Sequence, residues 1–252
     1  MSVRPRKALG QHFLTDPNIL GVIGRLASLE PDDVVLEIGP GLGVLTRFLA
    51  ERVAFVHAVE VDRRLERELT EIPRTRVHWG DAMVLDLSVF EPPPRKLVSN
   101  LPYNVATPLV VESLELATID AWCVMVQREV ADRFFAEPST KAYGAVSVLV
   151  RLAAERTGFH PVSREVFRPR PKVDSALVAF RRVAPAVGAS VKRLVEAAFS
   201  HRRKTLANSL ALAGLCPREH AVAGLAAIGR SAGARAEELE PGEFVALAEA
   251  LG

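Results

Sequence analysis

Short apolar runs rich in β-branched residues recur along the first half of the chain, with stretches of helical periodicity between them. Runs at 34–38, 55–59, 77–79, 97–99 and 122–126 predict buried strands, since a strand covered on both faces needs no polar alternation. Segments 43–52 and 63–71 fall between the early runs and predict helices. Strand and helix alternating at this spacing imply βαβ units, a parallel sheet with helices on both faces. Two later runs, 145–151 and 175–180, read as an antiparallel pair at one edge, although the first reads equally well as a helix. The pattern changes near Pro185. Beyond it the chain is rich in Ala and Leu, with helical spacing at Leu194, Ala197 and Ala198 and again at Leu206 and Leu210. Pro217 and Pro241 stand where helices start. The predicted organisation is an α/β domain over 1–185 and a small all-helical C-terminal domain over 186–252.

Composition narrows the class. With 49% hydrophobic residues the chain can bury a sizeable core, which excludes global disorder. The net charge of +2 hides an uneven distribution. Residues 164–182 carry six Lys/Arg against two acids, 192–204 carry five against one, and 237–249 carry five acids and no base. Basic segments of this kind can meet a polyanion. Cys123 and Cys216 lie far apart, with no histidine cluster at metal spacing, so neither a zinc site nor a disulfide framework is expected. No apolar run approaches the ~18 residues of a membrane-spanning helix. The basic N-terminus (Arg4, Arg6, Lys7) lacks the apolar core of a secretory signal. The expectation is a soluble, cytoplasmic, monomeric protein without a metal.

The chemistry begins at Val35-Leu36-Glu37-Ile38-Gly39-Pro40-Gly41-Leu42-Gly43, an apolar strand entering a glycine-rich turn and then a helix. Glycines there let the backbone turn tightly and approach a ligand. Such a turn suits NAD, FAD or S-adenosyl-L-methionine. A dinucleotide fingerprint would place its third glycine at Val44, whereas here it comes one position early, at Gly43. With Glu37 the segment reads E-x-G-x-G-x-G, which resembles motif I of Rossmann-like methyltransferases, where the acid is linked to the methionine end of the cofactor. Glu60 follows Gly39 by 21 residues, Asp81 follows Glu60 by another 21, and Asn100 comes 19 further on. Each closes a predicted strand. In open α/β sheets ligands sit outside the carboxyl ends of the strands, so the series lines one rim. Glu60 is suited to a ribose diol and Asp81 to an adenine amino group.

Asn100-Leu101-Pro102-Tyr103 addresses a harder problem. The exocyclic nitrogen of adenine is poorly basic, because its lone pair is delocalised into the ring. The Asn100 oxygen and a nearby backbone carbonyl can accept its two N–H bonds and aim the lone pair at a methyl donor. Pro102 stiffens the turn and brings no competing backbone donor. Tyr103 offers a face on which a base can stack, a contact worth about 1–3 kcal/mol in nucleic-acid sites. The base must leave its stack to arrive here. A second aromatic candidate, Phe167, lies in Val166-Phe167-Arg168-Pro169-Arg170-Pro171-Lys172-Val173-Asp174-Ser175. It can cover the other face of the base while Arg168, Arg170 and Lys172 meet phosphates.

Together these segments resemble the rRNA adenine N6,N6-dimethyltransferases, most closely the KsgA-type enzymes of small-subunit rRNA. The resemblance starts at Lys7-Ala8-Leu9-Gly10-Gln11-His12-Phe13-Leu14 and ends at Phe199-Ser200-His201-Arg202-Arg203-Lys204-Thr205-Leu206. It implies a Rossmann-like methyltransferase sheet and S-adenosyl-L-methionine as cofactor. It places His12, Leu14, Glu37, Gly39, Gly41, Glu60, Asp81 and Asn100 around that cofactor, with Asn common in the family at position 12. Arg202, Arg203 and Lys204 join the loop arginines as expected RNA contacts. The implied substrate is a pair of adjacent adenosines near the 3′ end of small-subunit rRNA, dimethylated during ribosome assembly. Two other readings compete: an Erm-type enzyme of large-subunit rRNA, and a non-catalytic assembly or transcription factor on the same fold.

Overall fold

The structure, a computed structural model, describes residues 5–6 and 10–252, so the Lys7-Ala8-Leu9 part of the N-terminal motif lies outside it. The first elements of the described residues are a two-residue strand, β1 (Phe13–Leu14), and helix α1 (Pro17–Leu26). Asp16 starts that helix by accepting a hydrogen bond from the Asn18 amide at 2.8 Å, with Pro17 at the first helical position. Then β2 (Val34–Ile38), α2 (Val44–Ala50), β3 (Phe55–Glu60), α3 (Glu66–Leu69), β4 (Thr75–Trp79), β5 (Lys96–Asn100), α4 (Ala106–Ser113) and β6 (Ala121–Gln127) follow. Helices α5 (Arg128–Phe134) and α6 (Ala145–Ala153) precede β7 (Ala154–Val162), β8 (Phe167–Arg168) and β9 (Ser175–Arg182). The remainder is helical: α7 (Ala189–Ser200), α8 (Leu206–Leu212), α9 (Arg218–Ala227) and α10 (Pro241–Leu251).

Seven strands form one sheet in the order β4-β3-β2-β5-β6-β9-β7. The pairs among β2 to β6 are parallel, and β9 runs antiparallel to β6. The chain winds outward from β2 to β4 and then returns to place β5 on the other side of β2. That reversal opens a crevice at the carboxyl ends of β2 and β5. The central strands are apolar because both faces are covered: Val35, Leu36, Leu97, Val98 and Val124 are wholly buried. The edge strand β7 is mostly polar and partly exposed, so it leaves no apolar run to read.

The described residues divide into two compact units. One takes in the chain up to Ala131 with Glu155–Val183; the other comprises Asp132–Ala154 and Ala184–Gly252. Residues 132–154, placed with the α/β domain by the sequence pattern, thus group with the C-terminal helices. Hydrogen bonds from distant parts of the chain hold them there. The Tyr143 hydroxyl donates to the Leu239 carbonyl at 2.8 Å, and the Ser139 amide to the Glu237 carbonyl at 2.7 Å. The ambiguous run 145–151 is helix α6, with Ser147, Val148, Leu149, Val150 and Ala153 buried. The run at 175–180 is a strand whose antiparallel partner is β6. Pro217 caps α9 and Pro241 opens α10. No described helix is long and apolar enough to cross a membrane.

Candidate active site

Within the first unit a cleft of about 180 Å³ opens at the carboxyl ends of β2 to β5. Its floor continues the sheet by one step past each strand. The Gly39 amide donates to the Val59 carbonyl at 2.9 Å, Gly80 to Glu60 at 2.9 Å and Leu101 to Met125 at 3.1 Å. These bonds bring Gly39, Glu60, Asp81 and Asn100 to one rim, and all four line the cleft. Gly39 (φ +75°) and Gly41 (φ +56°) hold the left-handed conformation that side-chain-bearing residues avoid. A Cβ on Gly41 would come within 3.0 Å of the Phe13 ring, so the strap at residues 10–14 crosses close over this turn.

The acids differ sharply. Glu60 accepts backbone N–H bonds from Gly41 at 3.1 Å, Val61 at 2.9 Å and Asp62 at 2.8 Å, which fix its carboxylate. Burial raises its pKa, and those three donors oppose the rise. Glu37, 1% exposed, is pushed up to about 8, chiefly by burial, with the Glu60 charge adding. The Thr46 hydroxyl beside it pulls the other way, yet neither Thr46 Oγ1 nor Glu37 Oε2 meets a partner in hydrogen-bonding geometry. Asp81 is exposed, and its Oδ1 accepts from the Met83 amide at 2.9 Å, tightening the turn after β4.

Asn100 ends β5, and its Nδ2 donates to the His12 carbonyl at 3.2 Å. That bond assigns the amide its orientation and leaves Oδ1 as an acceptor. Leu101 is buried, while Pro102 and Tyr103 line the cleft. The Tyr103 hydroxyl lies 2.6 Å from Ser175 Oγ, and burial raises its pKa. His12 lies on the Tyr103 ring, with centroids 5.3 Å apart, and its Nδ1 is 2.7 Å from the Pro169 carbonyl. Leu14 lines the cleft and also packs into the core.

Other expected residues lie elsewhere. Phe167 is 0% exposed and packed among the core side chains, and it does not line the cleft. Pairing of β1 with β8, Leu14 opposite Phe167, holds it there, apart from the cleft where it was expected to cover a base. Arg168 donates to the carbonyls of Glu165 at 3.1 Å and Phe167 at 2.9 Å, and Arg170 pairs with Glu165 at 2.6 Å. The exposed Lys172 side chain makes no such contact among the described residues. Arg202 donates to the Tyr143 carbonyl at 2.8 Å and approaches Glu237 at 3.6 Å, so it braces the second unit. Arg203 and Lys204 are exposed.

The sequence pattern passed over Asp62 and the individual role of Gln11. Gln11 Nε2 donates to Asp62 Oδ2 at 3.1 Å, pinning the strap to the end of β3. Arg64 binds the same carboxylate and holds its pKa down at about 2. Gln11 stands inside a quoted motif, but nothing in its surroundings points to residue 62. Among the described residues no group of three or more His, Cys, Asp and Glu side chains could hold a metal ion.

Comparison with known proteins agrees with this geometry. Residues 3–249 match the family model for "Ribosomal RNA adenine dimethylase". A ribosomal RNA small subunit methyltransferase A from Rubrobacter xylanophilus is 47% identical over 97% of this chain and 94% of its own. The protein of that name from Geobacter metallireducens is 42% identical over 99% and 96%. Among solved structures, a dimethyladenosine transferase from Plasmodium falciparum matches with TM-score 0.76 and 25% identity, covering 94% of this chain and 96% of that one. The 23S rRNA methyltransferase ErmE matches with TM-score 0.62 and 32% identity, over 95% and 99%.

Proposed function

Since this chain belongs to the ribosomal RNA adenine dimethylase family, we propose that it dimethylates N6 of two adjacent adenosines near the 3′ end of small-subunit (16S) rRNA. In this reading it acts in the cytoplasm, as a monomer, on the small ribosomal subunit or its precursor, with S-adenosyl-L-methionine as cofactor. The observation that carries it is the Asn100 amide, whose Nδ2 is occupied by the His12 carbonyl so that Oδ1 is left to accept from an amine. Identity to relatives named for the small subunit, up to 47%, exceeds the 32% to the large-subunit enzyme ErmE and supports the choice of subunit. A non-catalytic role on this fold would not require Asn100, Glu60 and Asp81 to remain together on one rim.

The cleft fits the cofactor. Gly39 and Gly41 turn the backbone where Pro102 and Phe13 leave no room for a Cβ, and Glu37 Oε2 is a buried carboxyl oxygen without a partner. Glu37 would face the methionine end, Glu60 the ribose hydroxyls and Asp81 the adenine amine, with His12 and Leu14 covering them from the strap. S-adenosyl-L-methionine supplies, when bound, a methyl group activated by a positive sulfur. The protein's own contribution is orientation. Asn100 Oδ1 and a carbonyl of the tetrapeptide accept the two amine hydrogens, which turns the nitrogen lone pair towards the cofactor side of the cleft. Tyr103, fixed through Ser175, presents its ring to the base. The proton released from N6 passes to solvent, and no strong base is needed. Lys172, Arg168, Arg170, Arg203 and Lys204 meet phosphates, with Arg202 contributing after its bracing bonds.

Transfer of labelled methyl groups to unmethylated small subunits and to naked large-subunit RNA tests the reading. Dimethyladenosine in the small-subunit RNA is the expected product. Preferential labelling of the large-subunit RNA would overturn the assignment.

A further inference from the structure

His12 joins three parts of the first unit that are remote in sequence. Its Nδ1 lies 2.7 Å from the Pro169 carbonyl, 157 residues away. A carbonyl can only accept, so Nδ1 carries a proton. The ring rests on Tyr103 with an interplanar angle of 29° and centroids 5.3 Å apart. A base inserted between two rings needs about twice the ~3.5 Å separation of stacked carbon atoms. His12 therefore occupies one face of Tyr103, and the two rings form a single platform. The main-chain carbonyl of the same residue accepts from Asn100 Nδ2 at 3.2 Å.

These contacts form a chain from the basic loop to the reacting site. The loop carbonyl holds the imidazole, the imidazole holds the backbone of residue 12, and that backbone holds the Asn100 amide. Without the last bond the amide is free to turn over. Its NH2 group would then face the N–H donors of the substrate amine, a donor–donor clash in place of two acceptors.

We infer that His12 is a positioning residue for methyl transfer, fixing the Asn100 amide and one face of Tyr103 to the set of the basic loop through the Pro169 carbonyl. The inference rests on the proposed function for its chemistry, although the contacts stand without it. It makes the loop more than an electrostatic patch: displacing the Pro169 carbonyl displaces the acceptor that aims the amine. Misplacement of a reacting group by about 1 Å costs on the order of 10²-fold in rate.

Three variants separate the tether from the ring. His12→Ala removes both. His12→Asn keeps a donor at the position of Nδ1 without the ring, and His12→Phe keeps a ring without the donor. On unmethylated small subunits His12→Ala is expected to lower kcat by about 10²-fold with a smaller change in KM for RNA. His12→Asn should recover most of that loss and His12→Phe little of it. An unchanged kcat in His12→Ala, or rescue by Phe and not by Asn, overturns the inference. Thermal unfolding and calorimetric cofactor binding of each variant confirm that it is folded and loaded. Independently of activity, the 15N imidazole spectrum of the wild-type protein should show the His12 tautomer that carries its proton on Nδ1. The opposite tautomer overturns the inference. A wild-type protein that labels neither RNA but shows the Nδ1–H tautomer refutes the proposed substrate and leaves the contact chain standing.

Discussion

Gly39 and Pro102 are packed so closely that a Cβ on the glycine would lie 3.3 Å from both Cγ and Cδ of the proline ring. One residue belongs to the turn after β2 and the other to the tetrapeptide after β5, so the cradle and the amine-binding turn share a wall. Ser99 reinforces it by donating from Oγ to the Ile38 carbonyl at 2.5 Å.

Gly39→Ala tests that wall. The left-handed backbone at φ +75° costs a side-chain-bearing residue roughly 1–2 kcal/mol, and the contact with Pro102 adds to it. Thermal unfolding should show a lower Tm, and methyl transfer should fall by more than the stability loss accounts for. A variant with wild-type turnover would mean the two turns move independently.

Asn100→Ala should abolish measurable turnover while leaving cofactor affinity, measured by calorimetry, only modestly weaker. The variant removes the acceptor that aims the amine but none of the glycine cradle or Glu60. Asn100→Asp should also fail, because its carboxylate would face the His12 carbonyl with no proton to donate. Turnover retained in either variant would remove Asn100 from the chemistry.

Glu37 makes the ligand-free protein sensitive to alkali. Its pKa rises on folding from 4.5 to about 8, so between those values the native state holds a proton that the unfolded chain has released. The associated stability is full below about pH 4.5 and is lost as pH rises through about 8. Denaturant unfolding across this window should show the decline, and Glu37→Gln should flatten it. An ammonium group brought beside Glu37 favours the carboxylate, so cofactor binding near pH 7 should release a proton, seen as buffer-dependent binding heat.

A histidine pair acts in the acid range. His57 Nε2 donates to the Pro92 carbonyl at 2.8 Å, which leaves its Nδ1 to accept from His78 Nε2 at 2.9 Å. This is the arrangement of two neutral rings. Burial lowers both pKa values, that of His78 to about 4, where the His57 and Arg76 charges add to the effect. Here the unfolded chain binds more protons, so stability is present above about pH 6.5 and falls as pH drops towards 4. His78→Gln, which can still donate to His57, should reduce this slope. An unchanged slope would assign the acid sensitivity to other groups.

The basic loop should make RNA binding depend on salt. Arg168 and Arg170 are engaged within the loop, whereas Lys172 is not. Lys172→Ala should weaken RNA binding and reduce the slope of log affinity against log salt by about one unit. Affinity independent of salt would count against phosphate contacts.

The legible parts of this protein are those written in consecutive residues. Strand β2 coincides with its apolar run because central parallel strands are buried on both faces. The spacing of Gly39, Glu60, Asp81 and Asn100 placed them on one rim, since each closes a strand of one parallel sheet. The run at 145–151 stayed ambiguous, because an apolar stretch this short fits a buried strand as well as a short helix. Strand β7 went unread because an edge strand is free to be polar.

The sequence by itself determined the sheet, the crevice and the kinds of side chain around it, through local periodicity and the fixed length of each βα unit. Tertiary structure alone decided the pairings across long separations. Phe167 is core because β8 pairs with β1. Residues 132–154 join the C-terminal helices because Tyr143 reaches Leu239, and His12 meets Pro169 and Asn100. A local pattern records which face of an element is apolar. It does not record which distant carbonyl lies within hydrogen-bonding reach once the chain has closed, and here that reach sets the orientation of Asn100.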